Sequence, residues 1–273
     1  MTTKQSVGYH SIVTLFSPAK KQQTAAARAA NVAAKLHSQV TLAQIAQPSD
    51  STQEGANAQR IICLIADHPE ITQTKQSQGD LLEIVKLADA VSGDLIVLDH
   101  GHFALLQPLL QASSETACDH GECDALVVHD DTTEGRKAAD YQHILVAADL
   151  NDQGLMTIYK AVRMAKRYNA RLTLLNVVND LSTGTEEAEN QVKNIRLRGL
   201  EAFTSVIEGL EVEKAVVVTT ESIEQAVSRY AASQQSDLIV IGSHKFHGIC
   251  VLLGGTAKGV IESAAADVLV VHE

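Results

Sequence analysis

The chain repeats itself. GDLIVL at 93–98 returns as SDLIVI at 236–241, and DALVVHD at 124–130 returns as DVLVVHE at 267–273. Both matches lie at an offset of 143 residues, so the segments between them align without a gap. Nearer the start of each half the offset is 132: YHSIVTLFS (9–17) lies over YQHILVAAD (141–149), and SQVTLAQIA (38–46) over ARLTLLNVV (170–178). The eleven residues that separate the two offsets fall between the second and third strand positions of the second half. A period this long means two copies of one folding plan. The repeat predicts domains at 1–130 and 141–273, joined by DTTEGRKAAD (131–140), a polar stretch without periodicity that reads as a linker.

Within each copy short apolar runs alternate with helical patterns. In the second half HILVAA is a strand, and Ile158, Val162, Ala165 and Tyr168 then recur at helical spacing. LTLLNVV, KAVVVTT, DLIVI and DVLVVHE supply four more strands. A charged amphipathic helix over 185–208, a helix in ESIEQAVSRYAASQQ and one over 256–264 lie between them. Strands that are apolar throughout and alternate with helices build a parallel sheet covered on both faces. The expectation is two doubly wound, five-stranded α/β domains of Rossmann-like type. The first follows the same plan with a shorter, less regular second helix around QEGANAQRIICLIAD.

The rest of the composition narrows the partners. A net charge of -11 and the lack of any Lys/Arg run argue against nucleic acid, whose phosphates such a surface repels. The longest apolar runs fall short of the ~20 residues a membrane span needs, and MTTKQSVGYHS has no apolar stretch of leader type. Cys63, Cys118, Cys123 and Cys250 do not form a disulfide framework, so reduced thiols in a cytoplasmic protein are expected.

The second half, along its whole length, resembles a universal stress protein domain, especially of the UspA-like branch. The likeness is carried by YQHILVAADL with KAVRMAKRYNARLTLLNVV, by SDLIVIGSH and by ADVLVVHE. The duplication resembles tandem members, in which two domains in one chain replace a homodimer. That implies an adenine nucleotide alpha hydrolase-like fold, an intramolecular pseudo-dimer with LVVHD beside LVVHE, and a non-catalytic stress-response role exercised through a ligand or a protein partner. Nucleotide-binding members carry Gly, two residues, Gly, nine residues, Gly, then Ser or Thr. Here Gly242 and Gly255-Thr256 keep the outer spacing and Lys245 replaces the middle glycine. The resemblance further matches Asp149 to the acidic residue ending strand one, and Val177 to the apolar residue that meets adenine. The UspA-like branch lacks the glycines and does not bind ATP, so this chain stands between two patterns.

Ligands of open α/β sheets sit beyond the carboxyl ends of the strands, where strand order reverses. Gly242 permits close backbone approach there. Gly255 and Thr256 would open a helix whose free N–H groups favour an anion. Lys245 adds positive charge, and His244 can donate to a phosphate or a ribose. The implied ligand is ATP or AMP, with Mg. Two readings stay open: a regulatory nucleotide site, or an interaction module in which these residues are turn and cap chemistry. Cys250 and the ICVLL segment around it read as packing, as a flap or as a protein-facing surface. In the first half the counterparts are Ser17 for Asp149, Asp99 for Gly242, Ala112 for Gly255 and Ser113 for Thr256, so any site belongs to the second half. Asp99, His100 and His102, and likewise Cys118, His120 and Cys123, lack zinc-site spacing, and no metal site is expected. No Ser-His-Asp elbow or carboxylate pair points to catalysis.

Overall fold

A computed structural model describes residues 8–17, 23–45, 51–77, 82–112, 123–129, 139–151, 154–179, 185–205, 207–243 and 254–272. The described residues from 9 to 140 form one compact unit, and those from 141 to 272, with Gly8, form the other. The first unit runs β1 (Ser11–Phe16), α1 (Thr24–Leu36), β2 (Gln39–Ile45), α2 (Ser51–Asp67), β3 (Ile71–Ser77), α3 (Glu83–Ala90), β4 (Leu95–Asp99), α4 (His100–Ala112), β5 (Asp124–Val128). The second runs β6 (His143–Ala147), α5 (Gly154–Tyr168), β7 (Arg171–Asn179), α6 (Glu186–Thr204), β8 (Val212–Thr219), α7 (Ile223–Ser233), β9 (Leu238–Ser243), α8 (Gly255–Ser263), β10 (Asp267–His272).

Each unit is a five-stranded parallel sheet. The strand order is β3-β2-β1-β4-β5 in the first and β8-β7-β6-β9-β10 in the second. The chain winds one way from the first strand of each unit and then crosses back, so order reverses between β1 and β4 and between β6 and β9. The central strands are buried on both faces, which is why SIVTLF, LIVLD, HILVA and LIVIGS are mostly apolar and do not alternate with polar residues. On α5 the side chains Ile158, Ala161, Val162, Ala165 and Tyr168 are buried at helical spacing, as the sequence pattern requires.

The two copies share their joints as well as their elements. His37 and Asn169, at the 132 offset, both take the left-handed conformation (φ 60° and 53°). The following residues close the helix ends with Ser38 N–H to Ala33 O (3.0 Å) and Ala170 N–H to Ala165 O (2.9 Å). Ser92 and Gln235, at the 143 offset, repeat this geometry (φ 50° and 54°). Asp94 accepts from the His10 and Ser11 N–H groups (2.7 and 3.0 Å). Asp237 does the same for Gln142 and His143 (2.7 and 2.8 Å). A buried phenol meets a buried carboxylate in each unit: Tyr9 donates to Asp124, and Tyr141 to Asp267 at 2.8 Å. Burial, and then Asp124, hold the Tyr9 phenol well above its ordinary pKa.

The copies diverge at the second helix. Leu200 of α6 is fully buried against the sheet. In α2, Ile62 is 58% exposed and Cys63 is exposed, and β3 beside it exposes residues 72–76. They diverge again after the fourth strand. α4 begins at His100, directly after β4, whereas α8 begins only at Gly255, well beyond the end of β9 at Ser243. The gapless alignment of this region therefore does not give equivalent helices.

Candidate functional site

The carboxyl ends of β9, β6 and β7 lie side by side in the second unit. Ala147 pairs with Ile241 on one side and Leu175 on the other. Continuing these registers puts Gly242 level with Ala148, and Asp149 level with Val177. Asp149 is exposed, while Val177 and Gly242 are half-buried. Five of the candidate residues thus have defined places: Asp149 follows β6, Val177 is on β7, Gly242 is on β9, and Gly255 and Thr256 start α8. His244, Lys245, Cys250 and the ICVLL segment lie outside the described residues.

The loop that carries Asp149 is tied down from three sides. Ala148 N–H donates to Leu175 O (2.8 Å), and Asn176 Nδ2 donates to Ala148 O (2.8 Å). Two glycines admit the loop to its neighbours. A Cβ on Gly154 would come within 2.5 Å of Asp149 O, and one on Gly199 of α6 within 2.8 Å of Leu150 Cδ1. Gly154 N–H is capped by Asn151 Oδ1 (2.9 Å), so the helix start takes its side-chain partner from Asn151.

Asn176 is the residue that sequence reasoning passed over. It is 5% exposed, and its Oδ1 has no hydrogen-bond partner. A buried acceptor left unmatched is costly, of order ~1–3 kcal/mol, so this oxygen, one residue from Val177, suits a water or a ligand donor. The available signal was a single amide interrupting the apolar run LLNVV.

α8 opens with no side-chain cap on Gly254 and no acidic residue in its first turn. Among the described residues, nothing lies within 4 Å of a Cβ built at Gly254 or Gly255. Its first N–H groups lie at the positive end of the helix dipole.

The corresponding end of the first unit is filled by its own side chains. Asp99, 4% exposed, caps α4 by accepting from His102 N–H (3.0 Å), and its other oxygen lies 2.5 Å from His102 Nδ1. At the Asp149 counterpart, Gln23 brackets Ser17: Oε1 accepts from Ser17 N–H (2.9 Å) and Nε2 donates to Ser17 O (2.8 Å). His100 and His129 pack with ring centroids 5.0 Å apart. Among the described residues no three His, Cys, Asp or Glu side chains are placed to share a metal ion, with Cys118 and His120 outside them. No described helix is long and apolar enough to cross a membrane.

Parallel strands in this order, with the reversal beside β6 and an uncapped helix following β9, define the class of Rossmann-like α/β domains. The model of the universal stress protein family matches residues 140–272. Universal stress protein A homolog 1 of Coxiella burnetii is 30% identical over 138 residues, which is 48% of this chain and 96% of that protein. Two solved structures share the fold over almost the whole chain. A functionally unknown protein from Pseudomonas aeruginosa PAO1 has a TM-score of 0.69 at 18% identity, covering 97% of this chain and 93% of that one. A universal stress protein from Archaeoglobus fulgidus has a TM-score of 0.61 at 13% identity, with 98% of each chain covered. The chain belongs to the universal stress protein family.

Proposed function

We propose that the second half binds an adenine nucleotide, ATP or AMP, as a regulatory ligand. The observation that carries this reading is the N-terminus of α8, the helix that follows β9, which among the described residues has no side-chain cap and no acidic residue in its first turn. Phosphate oxygens would take the first N–H groups of the helix and the Thr256 hydroxyl, with His244 and Lys245 adding donors. Asp149, exposed at the end of β6, would accept from ribose hydroxyls, and the base would lie along β7 at Val177. Mg would offset the negative charge that Asp149 and the phosphates bring together. The Lys245 side chain supplies a charge where the family's nucleotide-binding pattern supplies a glycine.

Calorimetry with Mg-ATP and AMP on the full chain tests this. One site per chain is expected, with a matching rise in thermal stability of about 2.7 kcal/mol at ligand a hundredfold above Kd. Gly255→Asp places a carboxylate at the helix start, where a Cβ meets nothing within 4 Å among the described residues, so the fold should persist while binding is lost. Asp99→Gly should leave affinity unchanged. No heat and no thermal shift at millimolar nucleotide would refute the reading and leave the interaction module.

A further inference from the structure

At the opposite end of the same sheet, His143 sits in a closed ring of polar groups. It opens β6, is 3% exposed, and uses both ring nitrogens. Nε2 lies 2.9 Å from Thr173 Oγ1, and the Thr173 hydroxyl donates to Glu213 Oε2 (3.1 Å). Thr173 has one proton and gives it to Glu213, so it must accept from His143, which puts the imidazole proton on Nε2. Nδ1 is then an acceptor, and Arg171 Nη2 (2.9 Å) and Ser236 Oγ (3.2 Å) are its donors. Arg171 closes the ring towards Glu213 (Nη1 to Oε1, 3.8 Å). In the neutral Nε2–H form the contact between Arg171 Nη2 and Nδ1 is a donor–acceptor pair, and a proton on Nδ1 would turn it into two facing donors.

One group is arranged for the other protonation state. The Gln234 carbonyl lies 3.1 Å from Nδ1, where an unprotonated nitrogen offers it nothing. Arg171 Nη2 bridges the same carbonyl at 3.3 Å. The charged and titratable groups round the imidazole are Arg171 on β7, Glu213 on β8, Asp237 before β9 and Tyr230 on α7. Asp237 binds the His143 backbone N–H, and the raised pKa of Tyr230 comes from burial and then Glu213.

We propose that His143 is an acid-responsive latch: proton uptake at Nδ1 expels Arg171 and transfers that nitrogen to the Gln234 carbonyl, loosening the start of β7 from the turn between α7 and β9. The equivalent position of the first half cannot act this way, because Ser11 there donates to Val91 O (3.2 Å) and does not titrate. Burial lowers the His143 pKa, Arg171 lowers it further, and the Gln234 carbonyl, Glu213 and Asp237 oppose this. A depressed native pKa means the unfolded chain binds the proton more readily. The stabilisation is therefore present above the ordinary imidazole value of about 6.5 and is lost as pH falls through the lower native value.

Histidine-detected NMR titration of the full chain tests the latch independently of any nucleotide. His143 should titrate below about 6.5, with the amides of Gln234, Gln235 and Ser236 moving at the same midpoint. Arg171→Met removes an exposed cation and should raise that midpoint by about half a pH unit or more. His143→Gln should abolish the turn's pH response, and Thr173→Val gives a second route should that variant fail to fold. An ordinary or raised midpoint, turn amides that do not follow it, or no response to Arg171→Met would each overturn the proposal.

Discussion

The two halves of this chain share most of their joints at the amino-terminal ends of their strands, the His143 and Ser11 positions apart, and differ more at the carboxyl ends. At the amino-terminal ends the aspartates bind the first β-strand's amides, the phenols meet buried carboxylates, and left-handed residues close the helices at matching positions. At the carboxyl ends the first half places Asp99 and Gln23, while in the second, among the described residues, no side chain caps α8. The shared features tie helix ends and strand starts into each sheet. The unshared ones at the carboxyl ends lie where such sheets hold ligands, so the halves have kept a common scaffold and diverged in what that end can accept.

Substitutions can break this comparison, beginning with the largest expected effect. Leu200→Ala in α6 should cost about 2–5 kcal/mol, because it opens a cavity under a fully buried side chain. Ile62→Ala in α2 should change stability by less than about 0.5 kcal/mol, since that side chain stands in solvent. Urea unfolding measures both, and equal losses would mean that the second helices pack alike. Tyr9→Phe and Tyr141→Phe should each cost about 1–3 kcal/mol by removing a hydrogen bond to a buried carboxylate, and a clearly unequal pair would end the equivalence of the two buried phenols. Asp99→Ala should cost about 1 kcal/mol through the lost cap of α4, with thermal unfolding as the readout. Asn176→Leu should leave the fold intact, free the loop at Ala148 to exchange faster, and weaken nucleotide binding.

Most of the scaffold was legible because its determinants are periodic. Apolar strands and the α5 stripe follow from spacing alone, and the repeat supplied a second reading of each element. The start of α4 was not legible: in the letters, Asp99 is the residue aligned with Gly242, and only geometry makes its carboxylate a helix cap. Site chemistry hid for a related reason. A phosphate cradle of the kind proposed is made of backbone N–H groups, which every residue carries, so Gly255 and Thr256 would mark its place without displaying it. Asn176 gave one polar letter in an apolar strand, and its role depends on the Ala148 carbonyl being within reach.

The central claim is that only the second half receives the ligand. Amide NMR of the full chain titrated with AMP addresses that claim residue by residue. Perturbations are expected at Asp149, Val177, Gly242, Gly255 and Thr256, with Ser17, Asp99 and His102 unmoved. Shifts centred on the first-half residues, or none in either half at saturating AMP, would contradict it.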